Sequence, residues 1–220
     1  MSANYVCPLC GDKNSAPFHR DKRRPYLRCL NCALVFVPPE YRLSPTAEKA
    51  EYDLHQNGPQ DEGYRRFLSR LVDPLAASLS GPSRGLDFGS GPGPALHLML
   101  EAHGHAMDLY DPFYAPDSTV FDRRFHFITA TEVVEHLHEP GMELERLWGM
   151  LEDAGTLAVM TKLVIDAQAF SNWHYKNDPT HVCFFSRQTW EWWAEGRGAR
   201  LSFHGADVVL LKRHSGSMLR

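Results

Sequence analysis

Four cysteines open the chain in two pairs, Cys7-x2-Cys10 and Cys29-x2-Cys32, with eighteen residues between the pairs. Two thiolates separated by two residues curl around one face of a tetrahedral metal, and two such knuckles complete four-coordination. Pro8 and Gly11 suit the tight knuckle turn. Four cysteines leave no open position for a substrate, so a metal here is structural rather than catalytic. A second constellation lies far downstream, HYKNDPTHVCFFS from His174 to Ser186. Two His, a Tyr, a Lys, an Asn and an Asp crowd around one Pro before the chain turns apolar and aromatic. A histidine, with its near-neutral pKa, can act as a proton acceptor. A third is the run LDFGSGPG from Leu86, an apolar strand entering a glycine turn. Glycines let a backbone approach a ligand closely, and the helix that follows presents its N-terminus to negative charge.

The cysteine spacing resembles that of zinc ribbons. Cys7, Cys10, Cys29 and Cys32 are the expected ligands of a structural Zn²⁺, in a ribbon spanning residues 1–41 that ends near Tyr41. Between the knuckles lies the basic run HRDKRR, His19 to Arg24. Residues 1–45 hold seven Lys/Arg against three Asp/Glu, net +4, which leaves −8 for the rest of a chain whose total is −4. A basic head on an acidic body reads either as a solvated finger or as a surface for an acidic partner.

Elements must position these groups. Ser44-Pro45 reads as an N-cap with Pro at the first helical position, opening a helix to about His55. Tyr64, Phe67, Leu68, Leu71, Val72 and Leu75 recur at helical spacing, with a kink expected at Pro74. Residues 42–82 are thus expected to be helices capping a cofactor site. Strand Leu86–Phe88 and a helix at Ala95–Ala102 flank the glycine turn. HAMDLYDP is expected to be the next strand, ending at Asp111. A helix carrying Leu144, Leu147, Trp148 and Leu151, strand GTLAVMT, a helix at 187–195 and strands near 199–204 and 207–212 complete the order. Ser186 is a good N-cap, with Phe185 and Trp190 spaced as a hydrophobic staple.

The glycine turn separates two cofactors. A dinucleotide fingerprint wants a small residue where Pro94 stands, which disfavours a nicotinamide oxidoreductase. The pattern present, Asp87-x-Gly89-x-Gly91-x-Gly93, resembles motif I of class I S-adenosylmethionine (SAM) methyltransferases. FHFITATEVVEHLHEP is similar to the fourth-strand region of ubiquinone-pathway O-methyltransferases and their relatives. The resemblance covers roughly residues 60–212. It implies an α/β, Rossmann-like, seven-stranded and mostly parallel sheet with helices on both faces, within a domain at 83–220. It also implies that Asp87, Gly89, Ser90, Gly91, Gly93, Asp111, Pro112, Phe113, Thr131 and Glu132 bind SAM, with Asp111 accepting from the ribose hydroxyls.

One departure stands out. Thirteen residues separate Asp111 from Phe125, so the third strand and its adenine contact are shortened or absent. Phe113 and Tyr114 either stack on adenine or cover the sheet edge. The D-P-T-H-x-x-F-F segment resembles one that helps form the acceptor pocket in related enzymes. His181 is the first choice of base and His174 the second, with Tyr175, Asn177 and Asp178 orienting the acceptor. By the same resemblance Glu132, Glu135 and His136 could bind Mg²⁺; a salt-bridged helix start is the favoured reading of those three.

The expected activity is SAM-dependent methyl transfer to an oxygen or nitrogen acceptor. The alternative is a non-catalytic zinc-ribbon adaptor, or an RNA- or protein-binding module, on the same fold. A small molecule or a protein is the expected acceptor, with RNA also open through the basic ribbon; a body near −8 repels phosphate. No apolar run approaches the roughly 20 residues of a membrane span, and no signal segment opens the chain, so a cytoplasmic protein without membrane contact is expected. The sequence does not indicate an oligomeric state.

Overall fold

The computed structural model describes residues 5–54 and 57–216. Three short strands open the chain: β1 Ser15–Arg20, β2 Pro25–Cys29 and β3 Val35–Phe36. Helix α1, Pro45–Tyr52, starts as expected, with the Ser44 hydroxyl accepting from the Ala47 amide at 3.3 Å. Its expected end at His55 lies outside the described residues. Helix α2 spans Glu62–Ser78 with Pro74 inside it and buries Leu68, Leu71, Val72 and Leu75, the apolar stripe read from the spacing. Then follow β4 Arg84–Phe88, α3 Leu96–Ala102, β5 Ala106–Tyr110, β6 Phe125–Thr131, α4 Pro140–Gly149, β7 Leu151–Met160 and α5 Ala167–Ser171. The chain closes with β8 Cys183–Phe184, α6 Arg187–Glu195, β9 Arg200–His204 and β10 Val208–Lys212.

The main sheet has the order β5-β4-β6-β7-β10-β9. β5, β4, β6 and β7 are parallel, while β10 runs antiparallel to both of its neighbours. Six strands stand where the resemblance implies seven. Between Asp111 and Phe125 the chain makes a tight bridge, Asp111 with Ala115, and a short 3₁₀ segment, Ser118–Asp122. Thirteen residues cannot supply a third strand together with its crossover, which needs a dozen or more residues for the connection itself. Edge strand β5 is covered instead by Phe121, whose ring packs edge-on against Tyr110 at 4.6 Å.

The cysteine-bearing segment does not hang free. Its sheet is β1-β2-β3-β8, so the fourth strand comes from the His174–Ser186 stretch. Val35 pairs with Phe184 and Phe36 with Cys183, and the Val37 amide donates to Val182 O at 2.9 Å. The first knuckle also rests on α4. Gly141 donates to Pro8 O at 3.1 Å, and a Cβ at Gly141 would sit 2.4 Å from Leu9 O. Cys7, Cys29, Cys32, Tyr26 and Leu34–Val37 accordingly share one buried cluster with β6, β7 and α6. The helix after this stretch is anchored as expected. Ser186 and Thr189 form a reciprocal capping box, and Phe185 stacks on Trp190 with ring centroids 4.6 Å apart.

Candidate active site

A cavity of about 1010 Å³ opens at the carboxyl ends of β4, β5 and β6. In a parallel α/β sheet ligands collect there, because the strand-to-helix turns converge on that edge. The volume is at the upper end of the range for small-molecule sites, roughly 300–1,000 Å³.

One wall is the glycine turn. Gly89 and Gly91 both have positive φ, 75° and 68°. A Cβ on Gly89 would strike Val133 at 2.4 Å, so the turn packs there without room for a side chain. A Cβ on Gly91 would meet nothing within 4 Å, because this glycine faces the cavity. A Cβ on Gly93 would lie 2.0 Å from Asn57 O, where the connection from α1 to α2 crosses the turn. Asp111 ties this wall together. Its Oδ2 accepts from the Gly91 amide at 2.9 Å, and its Oδ1 from the amides of Phe113 and Tyr114 at 2.8 and 3.1 Å. An ionised carboxylate offers about four acceptor positions, so capacity remains for a further donor. Pro112, Phe113, Ser90, Gly93, Thr131 and Glu132 also line the cavity. Asp87 does not. It is buried beneath the turn, accepts from the Thr129 hydroxyl at 2.8 Å, and has its carboxyl pushed up to about 6 by burial.

Glu132 closes the end of β6 with φ +52°, a conformation that costs a non-glycine residue energy and concentrates at functional sites. Burial pushes its carboxyl up to about 7. Its Oε1, Ser90 Oγ and Thr131 Oγ1 are buried without a hydrogen-bond partner among the described residues. Buried polar atoms rarely stay unpaired, and these three belong to residues that line the cavity.

The opposite wall carries His181, 6% exposed. Its Nδ1–H donates to Tyr175 O at 2.7 Å, which fixes the tautomer and leaves the Nε2 lone pair available. Nε2 lies 3.8 Å from Asp178 Oδ2, and both residues line the cavity. Burial holds the His181 pKa below its ordinary value, so the ring is neutral near pH 7. The His136 ring meets it edge-on at 4.6 Å. Tyr175 lies behind rather than in the cavity. Its hydroxyl donates to the Glu135 carboxylate and lies 3.2 Å from Glu132 Oε2. Glu135 is fully buried, and burial followed by the nearby Glu132 pushes its carboxyl up to about 8. His174, the second candidate base, faces away, with Nε2 3.1 Å from Lys162 Nζ and no part in the cavity lining. Asn177 is likewise turned outward, onto Arg23. Of Glu132, Glu135 and His136, the last two bring ligand atoms together with His181 within 4.8 Å, and Glu132 is not in that group.

Helix α1 roofs the cavity. Glu48 pairs with His138 at 2.8 Å, and the Tyr52 ring packs against His136 and Phe113 at 5.3 and 5.9 Å. Tyr52 and His138 also line the site; Tyr52 belongs to no motif, and His138 lies within FHFITATEVVEHLHEP, where nothing in the spacing singles it out. Phe113 stands in the lining beside Tyr52 rather than on the sheet edge.

At the ribbon, Sγ of Cys7 lies 3.5 Å from Sγ of Cys32, as does Cys10 from Cys29, and all four sulfurs fall within 4.8 Å of one another. Four sulfurs about 2.3 Å from a tetrahedral zinc would lie roughly 3.8 Å apart, so the set fits.

The glycine turn at the carboxyl edge of the parallel sheet, and the acid that ties it to the end of β5, stand where the motif I resemblance implies a cofactor turn. The chain belongs to the family described as the methyltransferase domain, whose model matches residues 61–202, well over half of the 220. No curated protein matches it in sequence at a significant level. Among solved structures it is similar to an O-methyltransferase family protein from Burkholderia thailandensis, at 12% identity and a TM-score of 0.51, covering 77% of this chain and 64% of that one. The chain therefore spans less than two thirds of that protein's length. Similarity to mitomycin 7-O-methyltransferase is at 16% identity and a TM-score of 0.50, over 67% and 54% of the two chains. A 1,6-didemethyltoxoflavin N1-methyltransferase from B. thailandensis, solved with that compound and S-adenosylhomocysteine, shows 15% identity and a TM-score of 0.46 over 90% and 99%. At these identities the likeness is one of fold. No described helix is long and apolar enough to cross a membrane.

Proposed function

We propose that the protein moves the methyl group of SAM to an oxygen or nitrogen of a small molecule held in the cavity, with His181 as general base. The observation that carries this reading is the His181 tautomer. Its Nδ1–H is spent on Tyr175 O, so the neutral Nε2 is the atom able to take a proton from an acceptor. When bound, SAM supplies a methyl on a sulfonium sulfur, and transfer needs chiefly alignment of acceptor and methyl. Asp178 stands close enough to stabilise the imidazolium that forms. The spare acceptor capacity of Asp111 is assigned to the ribose, the unpaired Ser90, Thr131 and Glu132 atoms to the methionyl end, and the Phe113 ring to adenine. The four thiolates are assigned to structural Zn²⁺. The five free cysteines suit a reducing, cytoplasmic setting. A small-molecule acceptor is favoured over RNA because seven of the cavity-lining residues are Asp or Glu, against Arg146 as the Lys or Arg among them.

The test is methyl transfer from labelled SAM into fractionated cell extract, with small molecules, protein and RNA counted separately. Label is expected in the small-molecule fraction. Absence of SAM binding up to millimolar concentration would sink the enzymatic reading, and label confined to RNA would overturn the acceptor class.

A further inference from the structure

Five successive carbonyls, Tyr175 to Pro179, all accept from side chains. Tyr175 O takes the His181 imidazole at 2.7 Å. The other four are taken by two arginines of the ribbon's basic run. Lys176 O and Asp178 O accept from Arg24 Nη2 at 2.9 and 2.7 Å, and Pro179 O from Arg24 Nη1 at 3.0 Å. Asn177 O accepts from Arg23 Nη1 at 2.9 Å, and Asn177 Oδ1 from Arg23 Nη2 at 3.1 Å. Arg24 is 6% exposed, and its Nε–H goes to Tyr26 Oη at 3.1 Å. A guanidinium is buried only when its donors are met, and here the planar fork meets three carbonyls and a phenol at once. Tyr26 in turn donates to Asp21 Oδ2 at 2.9 Å, while Asp21 Oδ1 accepts from the amides of Arg23 and Arg24 at 2.8 and 2.9 Å. A compact Asp21–Arg24–Tyr26 unit thus grips a segment about 150 residues away. Beyond His181 the same ribbon takes hold again, through Val37 N to Val182 O and the pairing of β3 with β8.

We infer that the ribbon is the positioning device of the active site and that Arg24 is its principal positioning residue. It clamps the carbonyls of residues 176–179, so that the neighbouring Tyr175 carbonyl stays where it fixes the His181 ring. The segment's own structure is short-range, a 3₁₀ turn at His174–Asn177 and then a turn at Asp178–Thr180 in which Asp178 Oδ1 accepts from the Thr180 amide at 2.9 Å, and neither ties residues 176–179 to the rest of the fold as the clamp does. The bearing on catalysis rests on His181 being the base; the clamp itself does not. It also accounts for part of the basic head. Arg24 is buried on the protein's own backbone and is not free to meet a phosphate, while the exposed Arg23 spends two of its donors on Asn177. Lysine would serve poorly at position 24, because a point charge with three rotating donors cannot replace a planar fork.

The experiment uses the full chain, zinc-loaded and saturated with S-adenosylhomocysteine, carrying ¹⁵N-histidine. Long-range ¹⁵N–¹H correlation reads the tautomer of His181, assigned by comparison with His181→Asn, and amide exchange reads residues 180–182. Wild type should show protonated Nδ1 and bare Nε2. Arg24→Gln should show mixed tautomers and roughly tenfold faster exchange at those amides, with zinc content and cofactor affinity unchanged; Arg24→Lys should fall between. A folded Arg24→Gln protein with wild-type tautomer and exchange overturns the inference. If that variant does not fold, Arg23→Ala and Arg24→Lys decide, and unchanged exchange in both overturns it. Failure of wild type to bind S-adenosylhomocysteine would defeat the methyltransferase reading while the tautomer comparison still tests the clamp.

Discussion

Two walls face each other across the cavity, and they are built differently. The glycine-turn wall is held by near neighbours. Asp111 reaches amides two, three and twenty residues away, and the turn hangs between adjacent parallel strands. The His181 wall is held from the other end of the chain, by arginines some 150 residues distant and by a strand pairing that crosses a similar gap. The first wall is a local motif that forms wherever a strand, a turn and a helix form. The second is built from contacts that the N-terminal ribbon supplies.

That contrast can be broken most forcefully at the metal. Structural zinc in small ribbons carries an apparent binding free energy of about 10–16 kcal/mol near pH 7, so chelation should have the largest effect. Freshly purified protein is expected to carry about one zinc per chain. After chelation, or in Cys29→Ser, amide protection should collapse through residues 5–41 and 174–184, while the main sheet and S-adenosylhomocysteine binding persist. Equal loss of cofactor binding would show the two walls to be one unit. Metal analysis finding no zinc would remove the premise.

Next in size is His181→Ala. Methyl transfer is expected to fall by about 10²–10⁴ with cofactor affinity nearly unchanged, because a base acts on the acceptor proton and not on the cofactor. Burial lowers the His181 pKa from its ordinary 6.5, so the acidic limb of the pH–rate profile should lie below that value. Unchanged turnover in a stably folded variant would discard the assignment.

Asp111→Ala should act on the other wall alone. Loss of charge-assisted bonds costs roughly 1.5–3 kcal/mol, about tenfold or more in SAM affinity by calorimetry. Part of that loss comes from the freed Gly91, Phe113 and Tyr114 amides rather than from the ribose. Exchange at residues 174–184 should stay at wild-type rates, and a change there would blur the distinction between the walls.

The smallest effect is on stability against pH. Glu135 lies behind both walls, its carboxyl raised from 4.5 to about 8 chiefly by burial. The folded state favours its proton, so its contribution is full below pH about 4.5 and is lost as pH rises through about 8. The difference in melting temperature between wild type and Glu135→Gln should therefore shift steadily against wild type across that window. A difference that does not vary with pH would show that Glu135 titrates normally.

Much of this was legible in the sequence because the signals were local. The α2 stripe, the Ser44 and Ser186 caps, the Phe185–Trp190 staple and the glycine turn each depend on residues within about a dozen positions. The shortened third strand was legible from the count between Asp111 and Phe125, though its replacement by a 3₁₀ turn was not. Arg23 and Arg24 sat in a basic run that reads as a solvated surface, since nothing nearby says which carbonyls they meet. Cys183 and Phe184 carried the apolar character of a strand, yet a two-residue strand is visible only once its partner, β3, is beside it. The sequence ranked His181 ahead of His174 as base without a distance to support the order; the structure places His181 in the cavity lining and His174 outside it.

By itself, then, the sequence determined the gathering of the four cysteines, the glycine turn and its acid, and the order of most elements, because cysteine spacing, positive-φ turns and helical periodicity are properties of short segments. The tertiary structure alone decided which histidine faces the cavity, which tautomer it holds, and that the ribbon and the active-site segment form one sheet. Those outcomes depend on contacts between residues up to about 150 positions apart, and no pattern within either segment encodes the other.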